Sequence, residues 1–100
     1  MKLLAKSIDM YAIFDNDSGK DGNWADKKIN PPIPYSFRIK EKNSDQKRTI
    51  KVDRMISWKE EKSVGKPVIT YACQSKINGV LRQYELRYII SDMKWQLYKM

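Results

Sequence analysis

Residues 68–90 read Val68-Ile69-Thr70-Tyr71-Ala72-Cys73-Gln74-Ser75-Lys76-Ile77-Asn78-Gly79-Val80-Leu81-Arg82-Gln83-Tyr84-Glu85-Leu86-Arg87-Tyr88-Ile89-Ile90, and this stretch decides the fold. Two β-rich runs flank Asn78-Gly79. A two-residue type I′ turn needs positive φ at both central positions, and Asn-Gly supplies it better than almost any other pair. The stretch is therefore a hairpin. On residues 68–77, Ile69, Tyr71 and Cys73 fall on one side. On residues 80–90, Tyr84, Leu86 and Tyr88 oppose Leu81, Gln83, Glu85 and Arg87.

The same period extends in both directions. Ser91-Asp92-Met93 is a tight connection. It leads to a closing strand over residues 94–100, with Trp95 and Leu97 inward and Tyr98 outward. Upstream, Ile8, Met10, Ala12 and Phe14 alternate within a first strand over residues 3–14. Turn formers follow from Asp15 to Gly22, and Trp24, Pro31 and Pro32 mark the rest of an irregular loop at about residues 15–33, with Pro34 just beyond it. Trp24 reads as a cap over an open barrel end, with an anchor for a partner as the alternative. Ile33, Tyr35, Phe37 and Ile39 then face inward, opposite Ser36, Arg38 and Lys40. Residues 42–46 form a polar turn. A third strand starts at residues 48–52, and its phase breaks near Asp53 and Arg54 before Met55, Ile56 and Trp58 resume it, as at a bulge or barrel corner. Residues 59–67 are charged and read as a loop, with room for one helical turn at residues 58–62.

Six strands with short connections and no long helix predict a single small all-β domain over residues 1–100. It is an antiparallel barrel or roll, SH3-like or partly open, with a small β-sandwich as the alternative. The core draws on Trp58, Tyr71, Tyr84, Tyr88 and Trp95, which fill a barrel of this size and leave little room for a cofactor. None is expected.

Composition narrows the chemistry. The 100 residues hold 20 Lys and Arg against 12 Asp and Glu, a formal charge of +8, with no histidine and one cysteine. A histidine base, a histidine metal ligand, a Cys/His dyad and an intrachain disulfide are all excluded. Cys73 lies on an apolar strand face, where thiols pack and do not react. The run Asp15, Asp17, Asp21, Gly22 resembles a calcium loop in composition. However, it has Gly19 at a ligand position and Lys28 where a bidentate Glu belongs, so it reads as a turn. Glu60 and Glu61 are adjacent in a charged segment, and Glu85 lies between Arg82 and Arg87, which suits surface pairing better than catalysis. The four glycines make no phosphate-binding fingerprint. No run is long and apolar enough for a membrane span or signal peptide, and a lone thiol fits a reducing, cytoplasmic setting.

The basic residues give the positive signal. Arg38, Lys40, Lys51, Arg54, Arg87 and Lys99 fall on outer strand faces, with Tyr98 among them. Cations that track phosphates beside a ring that stacks on a base are what a single-stranded nucleic-acid surface requires. Glu41, Asp53, Glu60 and Glu85 dilute that field.

A resemblance adds to this reading. The chain contains Pro34-x-x-Phe37-Arg38-Ile39, the run from Ile50 to Ile56, Glu60-Glu61-Lys62-x-x-Gly65 and Tyr71-x-Cys73-Gln74-Ser75-x-Ile77-Asn78-Gly79. Tyr84-Glu85-Leu86-Arg87-Tyr88 and Trp95-x-Leu97-Tyr98-Lys99 follow. Over residues 8–100 it resembles a family of short uncharacterised clostridial and other Firmicute proteins. Their genes often lie near a Y-family, polymerase IV-like DNA polymerase. Residues 20–32 are longer than that family's usual turn, so Trp24 draws no support from it. The family has no assigned catalytic residues, so the resemblance implies no site. It implies a setting among DNA-processing proteins. The expectation is a non-enzymatic accessory protein that contacts single-stranded nucleic acid or a DNA-processing protein. A protein–protein module and a histidine-independent enzyme are the alternatives.

Overall fold

The computed structural model describes residues 1–13, 31–40 and 45–100. Among the described residues, seven strands run β1 (Leu3–Ile13), β2 (Ile33–Lys40), β3 (Lys47–Lys51), β4 (Arg54–Ser63), β5 (Lys66–Ile77), β6 (Val80–Ile89) and β7 (Lys94–Lys99), with one 3₁₀ turn at Ile90–Asp92. Every pairing is antiparallel, in the order β3-β2-β1-β7-β6-β5-β4. The all-β barrel or roll expected from the sequence is therefore the fold. No helix among the described residues is long and apolar enough to cross a membrane.

The curl follows from connectivity. The two edge strands, β3 and β4, are joined by Val52 and Asp53 alone. A flat sheet of seven strands would separate its edges by about 29 Å at about 4.8 Å per strand. Two linking residues span at most roughly 11 Å. The sheet must therefore roll until its edges meet at this link. Val52 N–H donates to the Tyr35 carbonyl on one side (2.8 Å). Asp53 Oδ2 accepts from Lys76 N–H on the other (2.7 Å). β3 and β4 are in effect one strand that changes partners from β2 to β5 at a corner. β1 makes the same exchange, pairing with β7 through residues 3–8 and with β2 through residues 9–13.

The core lies inside the roll. Phe37 and Ile50 from the β2–β3 arm pack on Tyr71, Cys73, Tyr84, Leu86 and Leu97. Phe37 meets Tyr84 edge-on at 5.6 Å, and Trp95 stacks on Tyr71 (5.4 Å) and meets Tyr88 at a tilt (4.7 Å). The Tyr71 hydroxyl donates to the Pro32 carbonyl at 2.6 Å and ties the start of β2 to β5.

Four sequence expectations are corrected. The described residues form seven strands, because the corner at residues 52–53 divides the third into β3 and β4. Residues 59–63 are strand and not loop or helical turn. They pair with β5 as far as Ser63 opposite Lys66, and a two-residue turn at Val64-Gly65 replaces the expected long connection. Their charge suits an edge strand, where Lys and Glu discourage further pairing. Ile33 and Tyr35 face outward, because the β1–β2 register slips at Tyr11/Ala12 and Pro34 takes the inner position. Trp58 stands opposite Tyr71 but at the open lip of the roll, and it remains 41% exposed instead of joining the core. Trp24, Phe14 and the Asp15–Gly22 run lie outside the described residues.

Candidate nucleic-acid interface

The expected site residues separate into groups. Arg87, Tyr98 and Lys99 lie together on the outer face of β6 and β7. The Arg87 guanidinium stacks on the Tyr98 ring at 3.7 Å, with Lys99 Nζ at 5.4 Å from the same ring. Arg87 is already occupied. It donates to Ser63 Oγ, to Thr70 Oγ1 and to Glu61 Oε2, and its side chain is only 15% exposed. Glu61 also accepts from Thr70 at 2.6 Å and pairs with Lys59 at 3.0 Å. The Thr70 hydrogen bond, then Lys59 and Arg87, hold its carboxyl below the usual range. This network staples β4 to β7 across the outer face. A phosphate would have to compete with it.

Arg38 and Lys51 lie elsewhere, on β2 and β3. Arg38 and Lys47 share the Asp9 carboxylate, at 3.6 and 2.6 Å. The Lys47 hydrogen bond and charge, then Arg38, pull that carboxyl below its ordinary value. Lys51 Nζ sits 5.8 Å over the Tyr35 ring, and Tyr35 meets Tyr11 edge-on at 5.7 Å. Tyr11 is 66% exposed and Tyr35 44%. Lys51 thus lies over an exposed aromatic pair, and Arg38 and Lys47 meet Asp9 two residues along β1 from Tyr11. Beside it β1 parts from β7 after Ile8. The cleft left there, about 800 Å³, is lined by Asp9, Tyr11, Arg38, Lys94 and Trp95 among others.

The two groups do not merge. Lys99 stands opposite Leu3 on β1 and Arg38 opposite Asp9. Six residues of strand place them about 20 Å apart. Lys40, the register partner of Lys47, reaches Asp45 at 3.9 Å near the end of β2, and Arg54 opens β4 opposite Gln74. No family model, curated protein or solved structure matches the chain.

Sequence reasoning missed Tyr11 and Tyr35 as a pair. Tyr11 alternates with the inward Met10 and Ala12, so its outward position was readable. Tyr35 was not, because its face depends on the register slip against β1.

Two further groups bear on chemistry. Burial pushes the Cys73 thiol up to about 12, so it stays protonated and unreactive near neutrality. No three His, Cys, Asp or Glu side chains converge as metal ligands among the described residues.

Proposed function

We propose that this protein is a non-enzymatic accessory protein that contacts single-stranded nucleic acid through the outer face of β1–β3. The Tyr11–Tyr35 pair beneath Lys51, flanked by Arg38 and Lys47, carries the reading. Exposed rings offer stacking platforms for bases. The cations follow the phosphates without reading sequence. The sequence lacks histidine, the thiol is buried, and Glu61 is engaged in the Arg87 network; all three favour a binder over a catalyst.

Fluorescence anisotropy with a short labelled oligothymidylate tests it. With about three phosphate contacts, log K should fall with log salt at a slope near −2. Tyr11→Ala and Tyr35→Ala should each weaken binding by about 1–3 kcal/mol. Lys51→Gln should reduce the slope by about 0.7. Absence of binding at low salt, or affinity indifferent to both tyrosines, rejects the interface.

Contact with a DNA-processing protein is the second reading, favoured by the family resemblance and by β4 as an edge strand. The Lys59-Glu60-Glu61-Lys62 run on that edge works against strand addition, so the nucleic-acid reading stands ahead. Co-purification from native cells would reverse the order.

A further inference from the structure

The end of the roll away from Tyr11 and Tyr35 holds a second cavity, of about 590 Å³. This lies within the range of about 300–1,000 Å³ common for small-molecule sites. Its floor is aliphatic, formed by Ile39, Ile50, Ile77 and Leu97. Ile50 and Leu97 belong to the core, and Ile39 and Ile77 are half-buried around them. Its rim carries Lys6, Lys40, Arg48 and Arg82, one cation each from β1, β2, β3 and β6. No Asp or Glu lines it among the described residues.

The rim charge is poorly compensated. Arg48 donates to Asn78 Oδ1 at 2.6 Å, a neutral partner that uses one of five donors. Asn78 stands there because it takes positive φ in the hairpin turn between β5 and β6. Lys40 has Asp45 at 3.9 Å, but that carboxylate is fully exposed and the pair is weak. Four like charges around an apolar floor repel one another while leaving aliphatic surface in water. A ligand with an anionic head and an alkyl body removes both penalties. Among the described residues the lining has no aromatic ring on which a base could stack, which distinguishes this mouth from the tyrosine face.

The geometry points to a binding site for an alkyl-chain anion, a single carboxylate or phosphate on an unbranched hydrocarbon. The head sits among Lys6, Arg48 and Arg82, and the chain lies on Ile39, Ile77 and Leu97. The source is either a free fatty acid or an anionic membrane lipid.

Backbone amide shift mapping and calorimetry separate the possibilities. Dodecanoate and dodecyl phosphate, kept below micelle formation, should saturate with shifts around Lys6, Ile39, Arg48, Ile77 and Arg82. Dodecanol and inorganic phosphate should bind at least about 10-fold more weakly, since each supplies half of the contact. An Arg48→Gln/Arg82→Gln double variant should lose about 10- to 100-fold in affinity with an unchanged circular dichroism spectrum. Should removal of the Asn78 contact disturb the turn, Lys6→Gln with Arg82→Gln makes the same test. Saturation by dodecanoate identifies a free chain as the source. Binding only to phosphatidylglycerol vesicles, lost in the double variant, identifies a lipid. Equal affinity for dodecanol, unchanged affinity in both variants, or binding to neither chain nor vesicle overturns the site. The oligonucleotide assay reads Tyr11 and Tyr35 whereas this one reads Arg48 and Arg82, so the two proposals fail separately.

Discussion

Ser75 shows how much of this fold rests on single hydroxyls. It is fully buried on β5. Its hydroxyl donates to the Lys51 carbonyl at 2.6 Å, and accepts from Tyr84 at 2.6 Å and Asp53 N–H at 3.4 Å. One donor and two acceptor sites are thereby filled, and both ends of the β3–β4 corner are tied to the core. Ser75→Ala should cost about 2–4 kcal/mol, because it leaves a buried phenol and a backbone carbonyl without partners. Tyr84→Phe should cost about 1–2 kcal/mol, since Ser75 keeps its bond to Lys51. The double variant should lose less than the sum, because the two share one bond. Urea denaturation measures all three, and a Ser75→Ala protein as stable as the parent would remove the hydroxyl from this role. Arg87 teaches the converse lesson at the same scale. Its outward position was legible from alternation with Leu86 and Tyr88, but its occupation was not. Glu61, Ser63 and Thr70 reach it only after β4 pairs with β5, and residues 59–63 carry no apolar period by which to see that strand.

Among the elements, the two hairpins flanking β5 form a natural comparison. Both use two-residue turns with positive φ at each position: Asn78 and Gly79 at 53° and 78°, Val64 and Gly65 at 51° and 77°. The first was legible in the sequence because Asn-Gly suits that backbone. The second was not, because a β-branched residue there is strained. Val64 is also 99% exposed, so no packing offsets the strain. Val64→Asn should therefore stabilise the protein by about 1 kcal/mol. For a domain of this size that corresponds to a rise of about 4–8 °C in Tm. Gly65→Ala should destabilise by about 1 kcal/mol; no neighbour lies within 4 Å of the added carbon, so the loss is purely conformational. Calorimetric Tm values check both, and a Val64→Asn protein that melts lower would show that the valine side chain contributes something the geometry lacks. The corner at residues 52–53 was partly readable, as a phase break. That it exchanges one strand partner for another depends on Tyr35 and Lys76, which lie far away in sequence.

For the whole molecule, the core makes stability depend on pH in one direction above neutrality. Burial raises the Tyr71 and Tyr84 phenols well above their ordinary value of 10.0, and lifts the Cys73 thiol from 9.0 to about 12. Each is an acid held neutral by the fold. Below about pH 8 all three are protonated in both folded and unfolded chains and have no effect on the balance. Above pH 9 the unfolded chain releases these protons first, and the folded state loses stability as pH rises. Each group that is ionised only in the unfolded chain contributes a slope of about 1.4 kcal/mol per pH unit. Three such groups together approach about 4 kcal/mol per unit above pH 10, enough to unfold a domain of ordinary stability within about two units. On the acid side the sign reverses. The lowered Glu61 carboxyl contributes stability above its ordinary value of 4.5, and that contribution is lost as pH falls. Between these limbs there is no histidine to titrate. Urea midpoints should therefore form a plateau from about pH 6 to 8.5 and fall steeply beyond pH 10. Tyr71→Phe should reduce the alkaline slope by about one third, though it also leaves the Pro32 carbonyl unpaired and lowers the plateau. Cys73→Ala should delay the onset, since the thiol is the first of the three to ionise in the unfolded chain. Midpoints that hold level through pH 11 would mean that these phenols and this thiol ionise in place, with solvent reaching the inside of the roll.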